Sequence, residues 1–149
     1  MARMTQAEVE AHQARISRKQ AIHPRDNRLR LVLKSQIQGG KNNIGITRSG
    51  HRYPKPNWAK WRDEMIAQVK SQLPNGWKPI DTFSTVDLYY VAGDKRRRDM
   101  PAIIDAIWHV LEKSGVVVDD TLLWVASSHR EFKKNEPIAF VVIERGKDE

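Results

Sequence analysis

Between Arg28 and Ile37 the chain reads RLRLVLKSQI, with Leu29, Leu31 and Leu33 at every second position and charged residues beside them. A period of two puts the leucines on one face, the pattern of a half-buried strand. From residue 38 to 56 the periodicity gives way to Gly, Asn, Pro and basic residues, which predicts a loop. Trp58, Trp61, Met65, Ile66 and Val69 then recur at helical spacing. They predict a helix capped by Asn57 and ended by Leu73 and Pro74. β-Branched and aromatic residues from about Thr82 to Val91 predict a second strand. A helix starting near Asp99 follows, with Pro101 in its first turn and Gly115 as its stop. Ile104, Ile107, Trp108 and Leu111 mark its buried face. Two further strands, about Leu122–Arg130 and Ile138–Arg145, are expected to form a hairpin around Lys133–Pro137. The resulting order is β-α-β-α-β-β, an α/β fold with a small mixed sheet packed against helices.

Ahead of this pattern, residues 5–20 have weaker helical character. Thr5 and Glu8 have capping-box spacing, but the apolar face (Ala7, Val9, Ala14, Ile16) is thin. Residues 1–27 are therefore expected to be a basic arm or partner-docking helix, and residues 28–149 one domain. A length of 149 residues suffices for one core. Cysteine is absent, which excludes disulfides and thiolate metal sites. No apolar run is long enough for a membrane span, and the polar N-terminus lacks a secretory signal's apolar centre. A cytoplasmic location is the expectation.

Charge sharpens the picture. The net charge is +8. Residues 1–55 hold twelve Lys or Arg against three Asp or Glu, and the remainder is close to neutral. A basic portion beside a neutral body is the footprint of a polyanion binder, although a solubilising arm has the same composition.

Four features offer chemistry. The turn Asp94-Lys95-Arg96-Arg97-Arg98-Asp99 brackets a basic run with carboxylates; its arginines can grip phosphates, or its charges can merely balance in solvent. Asp119-Asp120 follows the apolar Val116–Val118, and adjacent carboxylates repel unless a cation lies between them. Mg²⁺, or Mn²⁺, suits such oxygen ligands; the bland alternative is a turn acid followed by a cap. Asp105, His109 and Glu112 share one helix stripe, either its wet side or a source of further ligands. The segment Gly39-Gly40-Lys41-Asn42-Asn43 through Arg48-Ser49-Gly50-His51-Arg52-Tyr53 mixes phosphate donors with small residues, and Tyr53 is able to stack on a base. His51 lacks the partner spacing of a zinc site.

In order and spacing, DKRRRDMPAIIDAIWHVLEKSGVVVDDTLLW resembles the signature of the RusA family of Holliday junction resolvases, and KNNIGITRSGHRYPKPNWAKWRDEM is similar to that family's N-terminal loop and first helix. The likeness spans about residues 28–145. It implies a homodimeric, Mg²⁺-dependent endodeoxyribonuclease that cuts four-way DNA junctions symmetrically. It also implies that Asp99 and Asp120 are metal-binding acids and that Arg98 serves DNA binding. Lys41, Asn42, Arg48, Arg52, Lys95, Arg96 and Arg97 join Arg98 as candidate DNA contacts. Two positions depart from the pattern. Pro101 stands where the family commonly has a second Asp, with Ala102 where Asn is usual, and Asp105 stands where it has a functional Lys. Asp105 is accordingly a candidate replacement ligand, with Asp119 as a helper. The alternative is a catalytically inactive DNA-binding protein of the same fold. An RNA-binding role and a structural, oligomeric role are rivals drawn from charge alone.

Overall fold

In a computed structural model, residues 5–10, 27–38, 44–96 and 98–146 are described. The ordered elements are β1 (Arg28–Leu33), β2 (Ile44–Ile46), β3 (Arg52–Pro54), α1 (Pro56–Gln72), β4 (Ser84–Ala92), α2 (Met100–Lys113), β5 (Leu123–Phe132) and β6 (Ile138–Arg145). A single 3-10 turn, Asp120–Leu122, leads into β5. Four strands form one sheet in the order β1-β6-β4-β5, with β4 and β5 parallel and the other neighbours antiparallel. The expected small mixed sheet with helices against it is what forms.

Alternation along the strands makes two cores. Leu29, Leu31, Leu33, Val86, Leu88, Tyr90, Ala139, Val141 and Ile143 face α1 and α2, which bury Trp58, Trp61, Met65, Val69, Ile103, Ile107 and Leu111 against them. The opposite face holds Val32, Tyr89, Val91, Ile138 and Phe140, covered by Val9 from a helical segment at residues 6–10. That segment opens with the capping box: Glu8 N–H donates to Thr5 Oγ1 and Thr5 N–H to the Glu8 carboxylate. Lys133 ties it down through an ion pair with Glu10 at 3.2 Å. Residues 11–20 of the expected helix lie outside the described residues.

Four expectations change. The first strand ends at Leu33 rather than Ile37, because Gln36 turns inward: its amide accepts from Gly93 N–H at 2.9 Å and donates to the Tyr90 hydroxyl. Inside the expected loop of residues 38–56, β2 and β3 pair as a two-stranded hairpin. Its turn ends at Gly50, whose φ of 86° suits a residue without a side chain. The first helix is capped at Lys55, not Asn57, since Pro56 takes the first helical position, where a missing N–H costs nothing.

The largest change concerns β5 and β6, which do not pair as a hairpin because β4 lies between them. Their connection crosses the end of β4 instead: Lys133 N–H bonds to Ala92 C=O, and Asn135 N–H to Gly93 C=O, both at 2.9 Å. Asn135 takes a left-handed φ of 60° there, a conformation asparagine tolerates.

Candidate functional site

The crossover β4-α2-β5 builds both charged regions. β4 and β5 run parallel, so α2 must return the chain from the far end of β4 to the near end of β5. The basic turn therefore lies at one end of the layer and Asp119-Asp120 at the other.

At the first end, Asp94 organises the turn. Its carboxylate accepts from Arg96 N–H at 3.0 Å and pairs with Arg98 at 2.6 Å. The Arg98 hydrogen bond, then the Arg96 backbone N–H, hold the Asp94 carboxyl well below the usual carboxylate range, at about 2. Arg98 also reaches the carbonyls of Asp94 and Arg96, so it braces the turn. Lys95 and Arg96 remain exposed, and Lys95 lies over the Phe132 ring at 5.3 Å. Arg130, on β5, donates to the Arg98 carbonyl. A cleft of about 680 Å³ opens beside this turn, lined in part by Asp94, Lys95, Arg130 and Phe132. Asp99 is exposed and occupies the cap position of α2, where its side chain makes no capping bond. Arg97 lies outside the described residues.

At the second end, α2 stops in a six-to-one turn: Val116 N–H returns to Leu111 C=O across Gly115, whose φ is +82°. Val116 and Val117 are then buried, and Ile80 brackets them, donating to Val116 C=O and accepting from Val118 N–H. Trp77 adds a bond to the Val116 carbonyl. This anchoring delivers Asp119 and Asp120 to the last turn of α2. Glu112, Asp119 and Asp120 bring ligand oxygens within 4.8 Å of one another. Glu112 also accepts from Asp120 N–H at 3.4 Å.

None of the three is paired with a described Lys or Arg. Burial raises the Asp120 carboxyl above its ordinary range, and the negative charges of Glu112, Asp119 and Asp105 raise it further. Asp119 is lowered, because it accepts from Thr121 N–H and Thr121 Oγ1. A tight group of acids with no neighbouring cation, one of them held against ionisation, fits a hard divalent ion by charge and ligand type. His109 stands one turn before Glu112, its ring 5.6 Å from Trp58, with Nε2 buried and unbonded among the described residues. Burial first, then the charges of Lys113 and Arg62, lower its pKa.

The expected site residues thus divide. Asp119 and Asp120 meet. Asp105 influences Asp120 electrostatically but is not in the group; α2 carries it about 10 Å from Glu112 at 1.5 Å per residue. Glu112 is the residue that sequence reasoning placed only as a stripe neighbour. Asp99 stands apart: thirteen residues of helix separate it from Glu112, about 20 Å along the axis. The strand gives a second ruler. Leu123 adjoins the acids and Arg130 the Arg98 carbonyl, and seven residues of strand span about 23 Å. In one protomer Asp99 and Asp120 do not share an ion. Arg48 and Arg52 sit on the β2–β3 hairpin, exposed, as does Tyr53, whose ring covers Gly45. Lys41 and Asn42 lie outside the described residues. Trp108 is half-buried against the core, and Trp124 is exposed.

Such a fold and site describe a two-layer α/β domain with a carboxylate cluster suited to a divalent cation at one end and an exposed basic turn at the other. No protein-family model matches the chain. Over 103 residues it is 24% identical to the crossover junction endodeoxyribonuclease RusA of Aquifex aeolicus (strain VF5), a match covering 68% of this chain and 80% of that protein. The chain is a distant relative of that protein, in keeping with the resemblance of the Asp99-to-Asp120 segment. No described helix is long and apolar enough to cross a membrane.

Proposed function

We propose that the protein is a Mg²⁺-dependent endodeoxyribonuclease that resolves four-way DNA junctions as a homodimer, acting on DNA in the cytoplasm. The observation that carries this reading is the Glu112–Asp119–Asp120 group, free of described Lys or Arg partners in a strongly basic chain. Carboxylates so placed would repel phosphates unless a cation stands between them. The similarity to a RusA endonuclease supplies the substrate class.

Asp120 and Glu112 would hold the ion, with Asp119 beside them. When bound, Mg²⁺ supplies a more acidic water and shields the phosphate charge. Lys95 and Arg96 would engage neighbouring phosphates, while Arg98 keeps the turn in shape. The hairpin arginines, Arg48 and Arg52, would extend the grip along the DNA.

A role for Asp99 in the same centre requires a second protomer. A two-fold axis that sets α2 of one copy beside α2 of the other, head to tail, brings the Asp99 end of one to the Asp120 end of its partner. The dimer would then carry two centres, one for each of the symmetric cuts. This also gives Glu112 a place: with Pro101 where a second Asp is usual, it restores a third carboxylate from the other end of the same helix.

The deciding experiment incubates the protein with a mobile four-way junction, with and without Mg²⁺. Symmetric nicks that need Mg²⁺ and vanish in Asp120→Asn support the reading. Junction binding indifferent to Mg²⁺, with no nicks from the intact protein, leaves the inactive DNA-binding alternative in its place.

A further inference from the structure

β5 is an edge strand of ten residues, paired on one side only among the described strands. Seven large apolar side chains are exposed in the described residues, and five of them lie on β5 or beside its start: Phe83, Val118, Trp124, Val125 and Phe132. Trp124 and Phe83 are each 63% exposed and meet edge to face, with ring centroids 5.9 Å apart. A contiguous aromatic surface of this kind marks an interaction site more often than a solvated wall. Natural sheets do not leave such an edge bare without a reason.

The two ends of the strand are chemically opposite. Beside Leu123 lie Glu112, Asp119 and Asp120 together with the Phe83–Trp124 pair. Beside Phe132 lie Arg130, Lys95 and Arg96. A strand acidic at one end and basic at the other, with an exposed aromatic at each, complements its own copy when the copy is reversed. At Ala126 a bulge interrupts the ladder with β4, since Val86 pairs with Val125 and Asp87 with Ser127.

We propose that two copies of this chain associate along β5, laid antiparallel about a two-fold axis near Ala126; the inference rests on the homodimeric reading above and names its surface. In that arrangement Trp124 of one copy faces the Arg130 end of its partner, and the acidic cluster faces the partner's basic turn. Arg130 adjoins the Arg98 carbonyl, so the partner's Asp99 arrives at the acidic cluster. Side chains rather than a continuous hydrogen-bond ladder carry the contact, because the bulge breaks the strand at the axis. The surface thus both buries the exposed aromatics and completes the metal centre.

The test measures mass in solution by size-exclusion chromatography with light scattering. The intact chain should elute at twice the mass of one chain, and Trp124→Glu/Val125→Glu at the mass of one. Unchanged far-UV circular dichroism verifies that this variant is folded. A second variant does not depend on disrupting anything. The chain has no cysteine, so in Ala126→Cys the new thiol meets only its own copy at the axis, and mild oxidation should give a covalent dimer. A folded double variant that stays dimeric, an intact chain that is monomeric at micromolar concentration, or an Ala126→Cys dimer that oxidation fails to cross-link overturns the β5 surface. Junction cleavage by the intact chain is scored separately. A dimer built on another surface that still nicks junctions would sink this inference and spare the functional reading.

Discussion

Mixing two dead variants offers the sharpest check on how the metal centre is assembled. Oxygens bound to one Mg²⁺ lie at most about 4 Å apart. The helix and the strand both put Asp99 about 20 Å from the acidic cluster of its own chain. No side-chain rotation closes that gap. Asp99→Asn and Asp120→Asn should each abolish cleavage, but subunit exchange should restore it. Random exchange makes about half of the dimers mixed. Each mixed dimer has one centre with both acids and one with neither. About a quarter of all centres are then intact, and cleavage should recover to about a quarter of the wild-type rate.

The product should also change. A mixed dimer cuts one strand, so a junction labelled on both scissile strands gives nicked junctions rather than resolved duplexes. Mixing the intact chain with Asp99→Asn/Asp120→Asn supplies the control: the mixed dimers would contain no complete centre, whereas a centre built within one chain would leave one working. A silent mixture of single variants, with exchange proved by co-purification of differently tagged chains, would refute assembly across the dimer.

Further expectations concern the cluster and the fold. Glu112→Gln should raise the half-saturating Mg²⁺ concentration about 10-fold, as loss of a supporting carboxylate does elsewhere, read from cleavage rate against Mg²⁺ or from calorimetry. Mg²⁺ affinity should fall with pH sooner than an ordinary Asp would cause, because Asp120 is raised and protons compete with the ion; Glu112→Gln removes one repelling charge and should move that onset to lower pH. The metal-free protein should gain stability as pH falls through the same window, since the folded state takes up a proton before the unfolded chain does. Gln72→Ala should destabilise by about 2 kcal/mol, a drop in Tm of roughly 4–8 °C in a thermal melt. The Gln72 amide satisfies both the N–H and the C=O of Val32 on the outer strand, each at 2.7 Å, and its loss leaves both without that partner.

Periodicity of two or about 3.6 residues is a local property, and it revealed the four main strands and both helices to within a few residues. The stop at Gly115 was legible for a similar reason: a glycine after an apolar run admits the left-handed turn that returns Val116 to Leu111. The adjacent Asp119-Asp120 pair announced its chemistry because two neighbouring carboxylates repel whatever the fold. The β2–β3 hairpin was hidden, since strands of three residues carry too short a pattern. Lys55 displaced Asn57 as the cap because Pro56 needs no N–H partner at the helix start.

What no local pattern carries is the order of strands across a sheet and the company a side chain keeps. Ile138–Arg145 reads as the natural partner of the strand before it, yet it inserts between β1 and β4, where Ala139, Val141 and Ile143 fill the core beneath the helices. That choice depends on burial summed over the whole sheet, not on a turn. Glu112 looked like the wet side of a helix until the Ile80 bridge carried the chain back and laid Asp120 against it. Asp99 looked like its natural companion from spacing alone, but a helix between two residues is a rigid spacer, and distance along the chain does not say which end of it each one occupies.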